Sequence, residues 1–220
     1  MRSNIVAILL VALASTEAFA AGKDPHQGKF SLEEATLGLE GSGPLVATLE
    51  TSKGRIECRL YDKESPITVA SFIGLARGLR AFFDPKTRQW EKRPYFDGLL
   101  FHRVIPGFMV QTGDIAGNGA GDAGFRIPNE SAPKLKFNRP GLLGMANYGP
   151  DTNSAQFFIT EEAASHLNGG YTIFGECKPI KVVRDIARVP RDVSDRPRTP
   201  VVLTKLTIVR EAAKTVGKRR

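Results

Sequence analysis

One arginine followed by aromatic, thioether and amide side chains is the part of this sequence with the clearest chemical use. In the segment 101–111, Arg103 is followed by Phe108, Met109 and Gln111. An arginine is always charged and presents several N–H donors in a rigid fork. Aromatic and thioether side chains nearby can form an apolar wall. The segment therefore predicts a shallow apolar pocket with one fixed cation at its rim.

Further segments of this kind follow in the order and spacing found in cyclophilins, which this chain resembles. They are residues 144–147, 156–159 and 174–175, and the resemblance covers residues 45–210. It implies a mainly β fold, a closed eight-stranded antiparallel β-barrel capped by two helices. It also implies peptidyl-prolyl cis-trans isomerase activity on X-Pro bonds of polypeptides, with no metal and no other cofactor.

The proposed chemistry needs neither a nucleophile nor a general base, because rotation about an X-Pro bond breaks no bond. Amide resonance makes the rotation slow, with a barrier of about 18–20 kcal/mol. Any group that favours a twisted imide over the planar one accelerates the reaction. Arg103 can hold the proline carbonyl and donate toward the imide nitrogen as its lone pair localises. Taken alone, Arg103 would be read as a surface charge and Phe108 as core.

The candidate site residues have two predicted roles. We predict that Arg103, Gln111 and Phe158 are catalytic, with Gln111 orienting Arg103 or the substrate. Asn147 offers backbone groups to an extended peptide, and Ala146 keeps the pocket wall low. The predicted substrate-binding residues are Phe108, Met109, Ala146, Asn147, Gln156, His166, Leu167 and Tyr171.

Three positions depart from the usual cyclophilin pattern. His166 stands where many members carry Trp, Tyr171 where His is common, and Tyr148 where a small residue is usual. Losing an indole removes a large apolar wall and one N–H donor. We therefore predict weak cyclosporin binding together with retained isomerase activity. His102, which alternates away from Arg103 along a strand, is interpreted as a structural histidine with satisfied hydrogen bonds.

Short alternating segments predict the frame that positions these residues. The helix signals are an N-cap at Ser65 with Pro66 behind it, ending at Gly78, and a second short helix begun by Pro179. Residues 79–96 are predicted to be a charged loop. The predicted strands are Leu45–Thr51, Arg55–Tyr61, Leu99–Val104, Phe108–Thr112, Leu142–Ala146, Gln156–Thr160, Thr172–Cys177 and Val201–Arg210.

The termini differ from this domain in composition. Residues 1–20 have the charge, the short apolar run and the A-x-A site of a signal peptide cut near Ala20, which predicts a periplasmic or secreted protein without a membrane span after cleavage. Residues 21–44 are predicted to be an arm with a short helix, because Ser31 and Glu34 have capping-box spacing. Residues 211–220 form a basic tail.

The cysteines and the net charge leave several readings open. Cys58 and Cys177 either form one disulfide in an oxidising compartment or are buried small hydrophobes. The net charge of +8 permits weak attraction to anionic polymers. The basic residues are scattered, so a solvated surface without specific nucleic-acid binding is expected, and a monomer is the simplest assembly. The rival functions are a non-catalytic peptide-binding or chaperone module and a basic surface adaptor.

Overall fold

The computed structural model describes residues 23–132 and 134–212. The predicted signal peptide at 1–20, with its cut near Ala20, lies outside the described residues. So does the predicted basic tail, apart from its first two residues. In the described part of the chain, no helix combines the length and apolarity needed to cross a membrane.

Most of the strands belong to one curled antiparallel sheet, and two form a separate hairpin. The strands are β1 (Leu45–Thr51), β2 (Gly54–Leu60), β3 (Phe82–Asp84), β4 (Gln89–Glu91), β5 (Leu99–Leu100), β6 (Arg103–Ile105), β7 (Met109–Thr112), β8 (Leu142–Met145), β9 (Phe157–Thr160), β10 (Ile173–Lys178) and β11 (Val202–Arg210). The large sheet has nine strands in the order β5-β11-β1-β2-β10-β8-β9-β7-β6, and β3 pairs with β4. Its two edge strands, β5 and β6, are consecutive in the chain.

The predicted mainly β class is confirmed, whereas the prediction of a closed eight-stranded barrel has to be corrected. The segment predicted as one strand, Leu99–Val104, is divided in two. β5 pairs with β11 at one end of the sheet and β6 pairs with β7 at the other. Between them, Phe101 N–H donates to the carbonyl of Val201 at 2.9 Å. The chain bends at this point, and the result is a nine-stranded curled half-barrel.

Three α-helices accompany the sheet in the described residues: α1 (Leu32–Thr36), α2 (Pro66–Arg77) and α3 (Ile180–Ala187). The capping box that predicted α1 is present, with Ser31 and Glu34 exchanging hydrogen bonds. Gly78 ends α2 in the left-handed conformation, as predicted. Ser65 is the N-cap residue of α2, as predicted, but its hydroxyl makes no capping hydrogen bond and donates to the carbonyl of Ile173 instead. The carboxylate of Glu130 accepts the first free N–H groups of α2, at 3.0 and 2.7 Å.

The segment predicted as a loop, residues 79–96, contains the hairpin of β3 and β4. Phe83 lies opposite Trp90 in this hairpin, with ring centroids 6.0 Å apart. Phe82 and Tyr95 are buried and contact each other edge to face at 4.8 Å. Strands of three residues are too short for a periodicity to reveal them. Burial of these aromatic rings therefore fixes a segment that looked charged and irregular.

Aromatic rings fill the core between α2 and the sheet. The ring of Phe72 lies 5.1 to 5.4 Å from those of Phe96, Phe157 and Phe174. Such pairs stabilise a fold by about 0.5–1.5 kcal/mol each beyond their area burial. Through Phe157 the core positions β9, and Phe158 is the second residue of that strand.

The two cysteines lie opposite each other on neighbouring strands. Cys58 on β2 pairs in register with Cys177 on β10, and a disulfide joins them. Both side chains are buried. The sequence left two interpretations open for these cysteines, and the structure shows the disulfide.

Candidate active site

A cavity of about 350 Å³ opens where β6, β7 and β9 meet the loops that follow β7 and β8. Nearly all of the predicted site residues line it. Those lining the cavity are Arg103, Phe108, Met109, Gln111, Ala146, Asn147, Gln156, Phe158, Leu167 and Tyr171. The sequence therefore identified a set of residues that the fold brings together from four separate segments.

The apolar end of the cavity rests on a buried ring. Phe158 is buried and its ring lies 5.6 Å from that of Phe137, in a stacked arrangement, and 5.9 Å from that of Tyr171. Gly144 on β8 pairs in register with Phe158. A Cβ at Gly144 would lie 2.6 Å from the ring of Phe158, so only a glycine leaves this ring in place.

Arg103 lies at the rim of the same cavity. It is on β6, directly opposite Gln111 of β7, and its side chain is 44% exposed. Its Nε lies 3.9 Å from a carboxylate oxygen of Asp195, which also pairs with Arg191 at 3.0 Å. Because the guanidinium is neither buried nor tightly paired, it retains donors for a ligand in the cavity.

A chain of amides crosses the cavity wall. Gln111 Nε2 donates to Gln156 Oε1 at 2.9 Å, and Gln156 Nε2 donates to the carbonyls of Gly119 and Gly121 at 3.0 and 2.8 Å. Gln111 is therefore held by Gln156, although it lies opposite Arg103 in the ladder. Sequence reasoning placed Gln156 in the site without foreseeing that it orients Gln111.

The opposite rim is built by Asn147 and Tyr148. Asn147 Nδ2 donates to the carbonyl of Gly170 at 3.0 Å, which fixes this loop against the loop before Tyr171. Tyr148 is exposed, and its hydroxyl donates to the carbonyl of Gly119. Tyr148, one of the three residues that depart from the usual cyclophilin pattern, therefore joins two parts of the cavity lining.

A buried carboxylate that the sequence analysis missed supports the turn before β7. Glu161 is fully buried, accepts from the backbone N–H of Gly107, and pairs with Arg188 at 2.9 Å. The N–H of Glu161 in turn donates to the carbonyl of Phe108 at 2.8 Å. Gly107 takes a φ of 76°, in the left-handed region that favours glycine. No local pattern marks Glu161, because its partners come from distant segments.

The two histidines near the cleft differ in their burial and surroundings. His166 is exposed and is absent from the cavity lining, although its ring lies 5.1 Å from that of Phe108. His102 lines the cavity and is buried, but neither of its ring nitrogens has a hydrogen-bond partner among the residues described. His102 is therefore buried, as expected of a structural histidine, but the prediction that its hydrogen bonds are satisfied is wrong. Burial lowers the pKa of His102, and so do the nearby Arg196 and Arg103.

Within the described segments, no three His, Cys, Asp or Glu side chains form a group that could hold a metal ion. What the cavity does offer is an apolar hollow, one guanidinium and a row of amides. These groups can bind an extended peptide and stabilise a redistribution of charge within it.

Comparison with known proteins decides the family. The model of the cyclophilin-type peptidyl-prolyl cis-trans isomerases matches residues 46–208. The chain belongs to the cyclophilin family. The resemblance inferred from the sequence is thereby confirmed, and so is the enzyme class, peptidyl-prolyl cis-trans isomerase, EC 5.2.1.8.

Curated relatives of this cyclophilin come from bacteria and eukaryotes. It is 44% identical to the peptidyl-prolyl cis-trans isomerase A of Mycobacterium tuberculosis over 166 residues, which are 74% of this chain and 91% of the relative. It is also 44% identical to the isomerase B of Streptomyces anulatus over 168 residues, covering 74% and 96% of the two chains.

Solved structures agree with the fold of this cyclophilin. A cyclophilin-type isomerase of Cryptosporidium parvum superposes with a TM-score of 0.66 at 28% identity, covering 76% of this chain and 99% of that one. A second structure of that protein, determined in the presence of the dipeptide Ala-Pro, superposes with a TM-score of 0.64 at the same identity.

Proposed function

We propose that this cyclophilin accelerates X-Pro rotation in exported polypeptides, with Arg103 stabilising the twisted imide. The proline ring enters the hollow formed by Phe108, Met109, Phe158 and Leu167. Arg103 binds the proline carbonyl and donates toward the imide nitrogen as conjugation is lost. One observation carries the proposal: the guanidinium and the apolar hollow line a single cavity.

The required energies are within reach of this site. Shortening a relaxation of tens of seconds to about a millisecond requires roughly 6 kcal/mol. One charge-assisted hydrogen bond contributes about 1.5–3 kcal/mol. The clamp on the proline ring must supply the remainder, because a held ring restricts rotation to the acyl side of the bond. The buried floor at Phe158 suits this role, since its ring stacks on that of Phe137 and meets that of Tyr171 edge to face.

Replacing Arg103 tests the mechanism. We expect Arg103→Ala to lower kcat/KM on an Ala-Pro peptide by about 10- to 150-fold, the value of one charge-assisted hydrogen bond. NMR exchange spectroscopy or a protease-coupled assay gives the rate. Arg191→Ala is the matched control, since Arg191 pairs with the same Asp195 but does not line the cavity. Equal rates for Arg103→Ala and the wild type would refute the mechanism.

The second candidate is a peptide-binding or chaperone module with negligible turnover. The tyrosine that joins two parts of the cavity lining, Tyr148, and the exposed His166 favour it, because both alter the rim where a peptide would bind. The same exchange experiment separates the two functions. Saturable peptide binding without faster exchange supports the module, and faster exchange supports the isomerase.

Export to the periplasm or to the outside of the cell is part of the proposal. The signal-like segment at 1–20 supports it, and so does the buried disulfide between Cys58 and Cys177, because disulfides persist mainly in oxidising compartments. Fractionation of cells expressing the full chain is the test. Recovery of an uncleaved chain in the cytoplasm would contradict this part.

We expect this cyclophilin to bind cyclosporin weakly, because His166 replaces a tryptophan at the rim of the cavity. His166 offers a smaller apolar surface than an indole, and its ring lies against Phe108 outside the cavity lining. His166→Trp should therefore tighten inhibition by cyclosporin relative to the wild type. Tight, stoichiometric inhibition of the unmodified protein would overturn the expectation.

A further inference from the structure

The cleft carries more positive charge than the isomerisation step uses. Four charged side chains line the cavity: Arg103, Arg126, Arg196 and Asp122. Arg103 already has a role in the proposed mechanism. The other two arginines have no part in that mechanism, and both lie on the cavity wall.

Both of these arginines are held in place by backbone carbonyls. Arg126 Nη1 donates to the carbonyl of Thr152 at 3.1 Å, and its Nη2 donates to Asp122 at 3.2 Å. Arg196 Nη2 donates to the carbonyl of Gly117. In the described chain, no carboxylate lies within 4.0 Å of the Arg196 guanidinium. An anchored arginine loses less conformational entropy when it binds a ligand than a freely moving one.

Neighbouring carboxylates neutralise only part of this charge. Asp122 is paired with Arg126, but both side chains are partly exposed. Asp195 pairs with Arg103 and Arg191, and Asp192 accepts the backbone N–H of Arg196 at 3.0 Å, but neither carboxylate lies within 4.0 Å of the Arg196 guanidinium. The chain as a whole has a net charge of +8, which adds to the positive potential at the cleft.

The position of these arginines identifies the part of the substrate they face. In the proposed binding mode, the proline ring occupies the hollow and X lies beside Ala146 and Asn147, so that an extended peptide would continue along the rim toward Tyr148. Each extended residue advances the chain by about 3.3–3.6 Å, so the residue before X lies beside Tyr148. Tyr148 N–H donates to the hydroxyl of Thr152, whose carbonyl anchors Arg126.

Arg196 lies on another part of the same cavity wall. The Tyr148 hydroxyl reaches the carbonyl of Gly119, two residues from the carbonyl that holds Arg196. We propose that Arg126 and Arg196 recognise a carboxylate side chain on the residue immediately before X, so that acidic-X-Pro sequences are the preferred substrates. The inference rests on the proposed function, because it concerns the substrate of the same cleft.

Three peptides test the preference: acetyl-Glu-Ala-Pro-Phe-amide and its Gln and Lys counterparts. Exchange rates are measured at low and high salt. The wild type should favour Glu over Lys in kcat/KM by about 3- to 10-fold at low salt, the effect expected of partly exposed ion pairs. The ratio should approach one at about 1 M salt, where the Debye length is only about 3 Å.

The double variant Arg126→Gln/Arg196→Gln should bring the Glu-to-Lys ratio close to one. The double variant Arg59→Gln/Lys205→Gln removes the same charge from exposed positions outside the cavity lining and should keep the ratio. A wild-type ratio of one, or an equal fall of the ratio in both double variants, would overturn the proposal. A wild type that fails to accelerate even the Gln peptide would instead contradict the proposed function.

Discussion

A single added methyl group behind the pocket gives the sharpest test of the site's architecture. Gly144→Ala would place a Cβ 2.6 Å from the Cζ of Phe158 and 3.0 Å from that of Phe137. Carbon atoms pack at about 3.5–4.0 Å, so the ring of Phe158 must move by about 1 Å. Gly144 has no positive φ, so the substitution acts through this contact rather than through backbone strain.

The displacement should affect both stability and activity. Overpacking a closed core costs about 1–3 kcal/mol in the free energy of unfolding. A misplacement of about 1 Å at a reacting group can lower the rate by about 100-fold, so we expect kcat/KM to fall by about 10- to 100-fold. Urea unfolding measures the first effect. NMR exchange on an Ala-Pro peptide, at a temperature where circular dichroism shows the variant folded, measures the second.

Gly170→Ala is the matched control. Gly170 lies next to Tyr171 at the same cavity, but a Cβ there would meet only the carbonyl oxygen of Leu167, at 3.9 Å. This variant should retain the wild-type rate. If Gly144→Ala kept its rate within about twofold, Phe158 would not form a position-sensitive floor, and the role given to ring clamping would be refuted.

Two further predictions concern stability. Removing the disulfide with Cys58→Ala/Cys177→Ala should lower the free energy of unfolding by about 3–5 kcal/mol, because the bond closes a loop of 119 residues; equal urea midpoints for the variant and the oxidised wild type would contradict this. Hydrogen bonds from Arg139 and Tyr61 hold the pKa of Glu176 below its ordinary value of 4.5. The contribution of Glu176 to the free energy of unfolding is therefore fully present above pH 4.5. It is lost as the pH falls through the lowered pKa of the folded state. The stability gap between wild type and Glu176→Gln should accordingly narrow below pH 4.5, and a gap that widens on acidification would show the opposite sign.

Much of the frame could be predicted because its signals are local. The capping box of α1, Pro66 and Gly78 at the ends of α2, and the hairpin of β1 and β2 each depend on residues only a few positions apart. The hydrogen-bonding groups at a helix end are satisfied within a turn or so, so neighbouring residue types suffice to reveal them.

The hydrogen bonds that cap α2 and the hairpin of β3 and β4 could not be predicted in this way. Glu130 caps α2 from 62 residues further along the chain, and no spacing rule reaches that far. The hairpin is ordered by aromatic contacts between short segments. The strand predicted at Leu99–Val104 looked continuous because no glycine or proline interrupts it, and only the partners on either side reveal the bend.

For the site, the sequence by itself determined which residue types are available: one arginine, an apolar set and several amides, recognisable together by their order. Tertiary structure alone decided their relations. It joined Gln111 to Gln156, buried Glu161 beneath the turn before Phe108 and moved His166 out of the cavity lining. The physical reason is that a side chain's chemistry belongs to its type, whereas its partners, exposure and pKa depend on which distant segments the fold packs against it.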